Sequence, residues 1–155
     1  MKKFNLFLIL LIVAIFSVTI LNSFRVFNLK PDLFIICLCF ASLYFEYRWA
    51  LALSVFSGLL KDIFSFNTFG INTLIFCILS FLILKLIRQI SIEDNWMRMS
   101  LVFIVAFTNN ILSGLILAFS GSVVPFGVFL RIIVFSSLYT TLVSFLFFKF
   151  IPLKQ

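Results

Sequence analysis

A few polar side chains inside long apolar stretches are the residues of this sequence best able to do chemistry. Lys61 and Asp62 are adjacent near the end of one apolar stretch, Asn109 and Asn110 interrupt another, and Arg131 lies near the start of a third. Charged groups in such surroundings usually face the protein interior and find partners. We expect an ion pair between Asp62 and Arg131, or a polar pocket shared with the other three. The alternative is that Lys61 and Arg131 extend to the lipid headgroups and Asp62 lies at the interface.

Residue sets that support catalysis are not found in the sequence. It has no His, no H-E-x-x-H, no G-x-S-x-G and no Gly-rich phosphate loop. Asp62 is the one deeply placed acid, so it has no second carboxylate for acid–base catalysis. We therefore expect neither an enzyme nor a metal or cofactor site, and we interpret Asn109 and Asn110 as hydrogen-bonding groups between helices. The cysteines, all within apolar stretches, are expected to act as small hydrophobes: Cys37, Cys39 and Cys77.

Small residues precede Asp62 at helical spacing. Ala50, Ser54, Gly58 and Asp62 are each four positions apart, so they share one face of a helix. Such a row lets a second backbone come close, whether that of a partner protein or of a neighbouring helix in the same chain. Gly70, eight residues after Asp62, is expected to supply a turn at positive φ before the next helix.

The composition requires a lipid environment for these elements. The chain has 155 residues, of which 64% are hydrophobic and 11% charged, with a mean hydropathy of +1.28. A soluble domain averages about half apolar and a quarter charged residues. We predict an all-α, polytopic membrane helical bundle forming a single domain over residues 1–155. The net charge of +7 lies at the edges of the apolar runs, so it does not indicate nucleic-acid binding.

The apolar runs predict about six transmembrane helices, the first of them uncleaved. Their expected ranges are 4–24, 31–46, 50–66, 71–87, 99–119 and 126–150. Pro31 and Asp32 suit the start of the second helix, since proline needs no N–H donor there and the carboxylate favours the helix dipole. The break between the second and third helices is expected at Glu46 to Trp49. Fewer full spans result if these two helices form a re-entrant pair.

The basic residues predict an orientation in the membrane. With six spans and a cytoplasmic N-terminus, inner segments hold eight of the 12 Lys and Arg residues and outer segments hold four. The positive-inside rule favours this arrangement, with both termini in the cytoplasm.

The sequence resembles the MreD family of bacterial rod shape-determining membrane proteins. The features that carry the resemblance are the Pro31-Asp32-Leu33 helix start, the Gly58-Leu59-Leu60-Lys61-Asp62 segment and the following Gly70, within a chain of matching length and span number. The chain departs from the family pattern before Gly58, where it has Ala50, Ala52 and Ser54 in place of further glycines.

The resemblance implies a non-enzymatic component of the cell-elongation machinery in the cytoplasmic membrane. Proteins of this kind bind MreC, a single-span protein, in a complex that connects MreB filaments with the RodA glycosyltransferase and its class B penicillin-binding partner. The family fold is similar to that of the S components of energy-coupling-factor transporters. An S component that binds a vitamin is therefore the alternative, although the short outer connections leave little room for a vitamin pocket. A structural subunit of another membrane complex is a third interpretation.

Overall fold

The computed structural model describes residues 31–63, 70–89, 94–119 and 125–150, together with Ile12. Five helices account for nearly all of these residues: α1 (Leu33–Tyr44), α2 (Tyr47–Ile63), α3 (Ile71–Gln89), α4 (Asn95–Phe119) and α5 (Phe126–Phe150). The described part of the chain is thus all-helical, as the composition predicts. The expected first span at 4–24 lies outside the described residues, apart from Ile12.

Three of the five helices are long and apolar enough to cross a membrane: α3, Asn95–Ile116 within α4, and Gly127–Leu146 within α5. The helix α1 has 12 residues and α2 has 17, which correspond to about 18 and 25 Å of length, against a hydrocarbon thickness of about 30 Å. The described residues therefore hold three helices that could span a membrane, as expected for a helical membrane protein.

The connection between α1 and α2 is shorter than the sequence predicts. Phe45 is extended, and its N–H still donates to the Ala41 carbonyl at 3.1 Å. The Glu46 carbonyl accepts from Ala50, so Tyr47 to Trp49 already form the first turn of α2. Charged and aromatic side chains at a membrane interface can belong to a helix. A break predicted from composition alone therefore includes residues that the structure shows to be helical.

For the same reason, the connection between α3 and α4 is shorter in the structure than the expected spans 71–87 and 99–119 imply. The helix α3 continues through Lys85 and Arg88 to Gln89, and α4 already begins at Asn95. Hydropathy marks where a chain leaves lipid, whereas the helical hydrogen bonds continue into the polar region. The connection expected between the spans 99–119 and 126–150 lies outside the described residues, apart from Pro125.

The main core joins α1, α3, α4 and α5, while α2 packs outside it. The buried side chains of this core are Phe34, Ile35, Leu38, Cys39, Ile75, Phe76, Leu79, Ile83, Leu101, Val102, Val105, Ala106 and Phe148. The helix α2 runs antiparallel to both α1 and α3, with Leu53 against Ala41 and Tyr47 near Arg88. The helix α2 must therefore pack closely against two helices, α1 and α3.

Candidate functional site

The small-residue face of α2 packs against α3 inside the molecule. Ala50 and Ser54 are fully buried, and Gly58 is buried beside the first turn of α3. A Cβ placed on Gly58 would lie 2.6 Å from the Thr73 Cα, closer than two such atoms can approach. The sequence left open whether this face packs against a partner protein or against a helix of the same chain. In the structure it packs against α3 of the same chain.

One helical turn after Gly58, the Asp62 carboxylate caps α3. Its Oδ1 accepts from the Asn72 N–H at 3.1 Å and from Asn72 Nδ2 at 2.9 Å. Its Oδ2 accepts from the Thr73 N–H at 3.0 Å and from Thr73 Oγ1 at 2.5 Å. The first N–H groups of a helix have no partner within the helix and are normally satisfied by the side chain of the N-cap residue. Here the cap comes from another helix.

Gly70 explains why the cap must come from elsewhere. It immediately precedes α3, its carbonyl accepts from the Leu74 N–H at 3.2 Å, and it has no side chain to offer as a cap. Its φ of +87° lies in the left-handed region, which favours glycine. The three residues thus have different roles at this contact: Gly58 allows the close approach of α2, Asp62 caps α3, and Gly70 lets the chain turn into α3.

A second carboxylate performs a similar task for α1. Asp32 Oδ1 accepts from the N–H groups of Phe34 and Ile35 at 3.2 and 3.4 Å, as the N-cap position predicts. Its Oδ2 pairs with Lys61 Nζ at 2.5 Å, and Lys61 also lies over the Phe76 ring, 4.9 Å from its centroid. The ammonium therefore joins the start of α1 to the end of α2.

The expected ion pair between Asp62 and Arg131 does not occur among the described residues. The Asp62 carboxylate has four donors from α3, which occupy its lone pairs, and the ion pair on α2 joins Lys61 to Asp32 instead. Arg131 is an exposed residue of α5. The Lys61 side chain is only 21% exposed, so it does not extend freely to the headgroups.

These contacts form one polar cluster, defined as Asp32, Lys61, Asp62, Asn72, Thr73 and Thr140. The Asp32 N–H donates to Thr140 Oγ1 at 3.1 Å, and Thr140 is the fifteenth of the 25 residues of α5. The cluster therefore lies where α1 and α3 begin and α2 ends, beside the middle of α5.

The paired asparagines differ in their surroundings. Asn110 Nδ2 donates to Ser137 Oγ at 3.2 Å and so joins α4 to α5, as expected for a hydrogen bond between helices. Asn109 is 1% exposed, and its Oδ1 has no hydrogen-bond partner among the described residues, nor does the Oγ of Ser113.

Three buried serines form a further contact that the sequence analysis missed. Ser80 of α3 hydrogen-bonds both Ser42 of α1, at 3.3 Å, and Ser54 of α2. Single serines within apolar runs carry no signal of pairing, because serine also satisfies itself by bonding to the carbonyl four residues earlier. Asn72 and Thr73 gave only a weak indication of their contact with Asp62, as polar residues in the first turn after Gly70.

Together these contacts define a class of protein: a membrane helical bundle whose intramembrane polar groups join helices to one another. Among the described residues, no group of three or more His, Cys, Asp or Glu side chains could hold a metal ion. Residues 1–153 match the family described as rod shape-determining protein MreD, and the chain belongs to that family. No curated protein and no solved structure matches the chain.

Proposed function

We propose that this protein is a non-enzymatic scaffold in the cytoplasmic membrane that helps to position peptidoglycan synthesis during cell elongation. The observation that carries the proposal is the match to the rod shape-determining family over residues 1–153. The helix contacts of Asp62 support it, because four donors leave this carboxylate no free lone pair with which to take up a proton.

The proposed partners are an MreC-like single-span protein and, through it, a RodA glycosyltransferase with its class B penicillin-binding protein and, indirectly, MreB. The proposed arrangement has about six spans in the bilayer with both termini in the cytoplasm, following the distribution of Lys and Arg.

The outward side of the α2–α3 pair is the surface that we propose for the MreC-like transmembrane helix. The inward side is filled, since Gly58 faces Thr73. Ile63 and Leu74 are 61% and 66% exposed, and they are next in sequence to Asp62 and Thr73. The capping contacts of Asp62 therefore fix the relative position of these two apolar side chains.

Gentle detergent purification of the tagged protein from its native membrane, with mass spectrometry of bound proteins, tests the function. Recovery of MreC-like and wall-synthesis proteins is the expected result. Recovery of transporter ATPase subunits or of a stoichiometric small molecule would instead favour the S-component function.

The docking surface has its own test and a matched control. The Ile63→Ala/Leu74→Ala double variant is expected to recover less of the MreC-like protein, whereas Leu142→Ala, at a 65% exposed position on α5, is expected to recover the wild-type amount. Equal losses in both variants would show that the surface is not specific. Wild-type recovery from the double variant would place docking elsewhere while leaving the scaffold function intact.

A further inference from the structure

Exposed cations and aromatic side chains meet at one end of the described helices. Arg88 in the last turn of α3 lies over the Tyr47 ring in the first turn of α2, 5.4 Å from the centroid. Lys85 precedes Arg88 by three residues, and Arg48 follows Tyr47 directly; all three cations are exposed. The contact between the two helix ends therefore places three positive charges within about one helical turn of it.

Among the described residues, no carboxylate pairs with any of these three cations. The ion pair found in the described part of the chain is Lys61–Asp32, near the opposite end of α2. Glu46 and Asp94 are exposed at the same end as the cations but pair with none of them. Because they are exposed and pair with no carboxylate in the described part of the chain, Arg48, Lys85 and Arg88 can receive an external anion.

Aromatic side chains place this end at a membrane surface. Trp96, in the first turn of α4, is 79% exposed, and Tyr47 is 39% exposed. Tryptophan and tyrosine favour the headgroup level of a bilayer, where one side of the ring is apolar and the other meets water. Apolar side chains of α3 continue from this level towards the hydrocarbon, with Leu82 and Leu86 exposed at 47% and 45%.

We propose that Arg48, Lys85 and Arg88 form a binding site for the phosphate headgroup of an anionic phospholipid, with Tyr47 and Trp96 at the level of its glycerol backbone. The charge complementarity is direct, since each cation near an anionic lipid surface adds to the attraction. Arginine is suited to phosphate because its planar guanidinium donates two parallel hydrogen bonds. The exposed leucines of α3 provide an apolar surface for the acyl chains.

Titration of the purified full chain with phosphatidylglycerol or phosphatidylcholine tests the proposal, with bound lipid counted by native mass spectrometry. The wild-type protein is expected to prefer phosphatidylglycerol, and the preference is expected to weaken as salt is raised. Each of Arg48→Gln, Lys85→Gln and Arg88→Gln should weaken phosphatidylglycerol binding by about fivefold, and the triple variant on the order of a hundredfold. Phosphatidylcholine binding should change little.

The control is Arg131→Gln, which removes one exposed cation near the start of α5, away from this end. It is expected to retain wild-type binding, and lipid-free melting of each variant checks that folding is intact. Equal affinity of the wild type for both lipids would overturn the proposal. So would wild-type binding by a folded triple variant, or a loss in Arg131→Gln as large as that in Arg88→Gln.

Discussion

Asp62 supplies hydrogen bonds that a helix usually obtains from its own N-cap residue. The Asn72 and Thr73 N–H groups occupy the second and third positions of α3, and both donate to this carboxylate. A buried N–H without a partner costs about 1–3 kcal/mol, and lipid offers no water to replace the carboxylate. The 1% exposure of Asp62 therefore indicates a structural requirement at this position.

Asp62→Asn is expected to lower the free energy of unfolding by about 2–3 kcal/mol. The amide retains one acceptor oxygen and turns an NH₂ group towards donors of Asn72 or Thr73, so at least one donor loses its partner. Thermal unfolding in detergent is the measurement, and Thr73→Val, which removes one donor and leaves the N–H contacts, is the milder control. A melting temperature for Asp62→Asn equal to that of the wild type would contradict the capping role.

Substitutions at Gly70 measure the free-energy cost of a positive φ without a change in side-chain packing. At φ +87°, and with no described atom beyond its chain neighbours within 4 Å of an added Cβ, Gly70→Ala has room for its side chain but strains the backbone. We expect a loss of about 1–2 kcal/mol in unfolding free energy. Asn tolerates the left-handed region better, so Gly70→Asn should lie between alanine and the wild type in a thermal melt. The reverse order for Asn and Ala would show that φ is not the constraint.

At the scale of helices, three glycines have different surroundings that predict different responses to alanine. Gly58 faces the Thr73 backbone and Gly114 faces the Phe129 ring, whereas a Cβ added at Gly127 meets no atom of the described residues within 4 Å beyond its chain neighbours. A backbone cannot move out of the way without separating α2 from α3, whereas a phenylalanine ring can rotate or shift.

Gly58→Ala should therefore destabilise most, by about 1–3 kcal/mol, with Gly114→Ala intermediate. Gly127→Ala should be neutral or slightly stabilising, because alanine favours helix more than glycine does. The ranking of melting temperatures in one detergent checks all three variants. If Gly58→Ala melts no lower than Gly127→Ala, the close approach of α2 to α3 is not required. The row of small residues around Gly58 thus supports the internal helix pair before any partner is bound.

Helix positions could be predicted from the sequence, but the partners of the polar side chains could not. Periodicity and apolar length indicate the helices around Gly58, Asn110 and Arg131, and the small-residue row indicates a close contact. Which helix fills that contact depends on the antiparallel register of α2 and α3, which no local pattern encodes. For the same reason the sequence assigns Asp62 to Arg131, although Asn72 and Thr73 are the donors that the hairpin brings nearest.

At the scale of the whole molecule, the two short helices α1 and α2 meet α5 near the middle of its length. The bond from the Asp32 N–H to Thr140 Oγ1 places the start of α1 beside the middle of α5, and Lys61 brings the end of α2 to the same level. A fully exposed ion pair contributes little to stability, but these two side chains are only 21% and 17% exposed, so water and salt screen the pair less. The pair therefore joins the start of α1 to the end of α2 beside the middle of α5.

Membrane placement predicts different reactivity for two side chains that are both well exposed in the isolated protein. Trp96 is 79% exposed at the start of α4, and Leu142 is 65% exposed near the middle of α5. In a background with Cys37, Cys39 and Cys77 replaced by alanine, a membrane-impermeant maleimide should label Trp96→Cys in inverted vesicles and not in intact spheroplasts. It should label Leu142→Cys in neither, because lipid covers that part of α5.

Denaturation in SDS provides the control, since both cysteines should then react fully. Labelling of Leu142→Cys in sealed vesicles would show that α5 does not span the bilayer there. Labelling of Trp96→Cys in intact spheroplasts would reverse the orientation derived from the basic residues, and would move Arg48, Lys85 and Arg88 to the outer leaflet. The two cysteines thus test separately whether α5 spans the bilayer and which way the whole bundle faces.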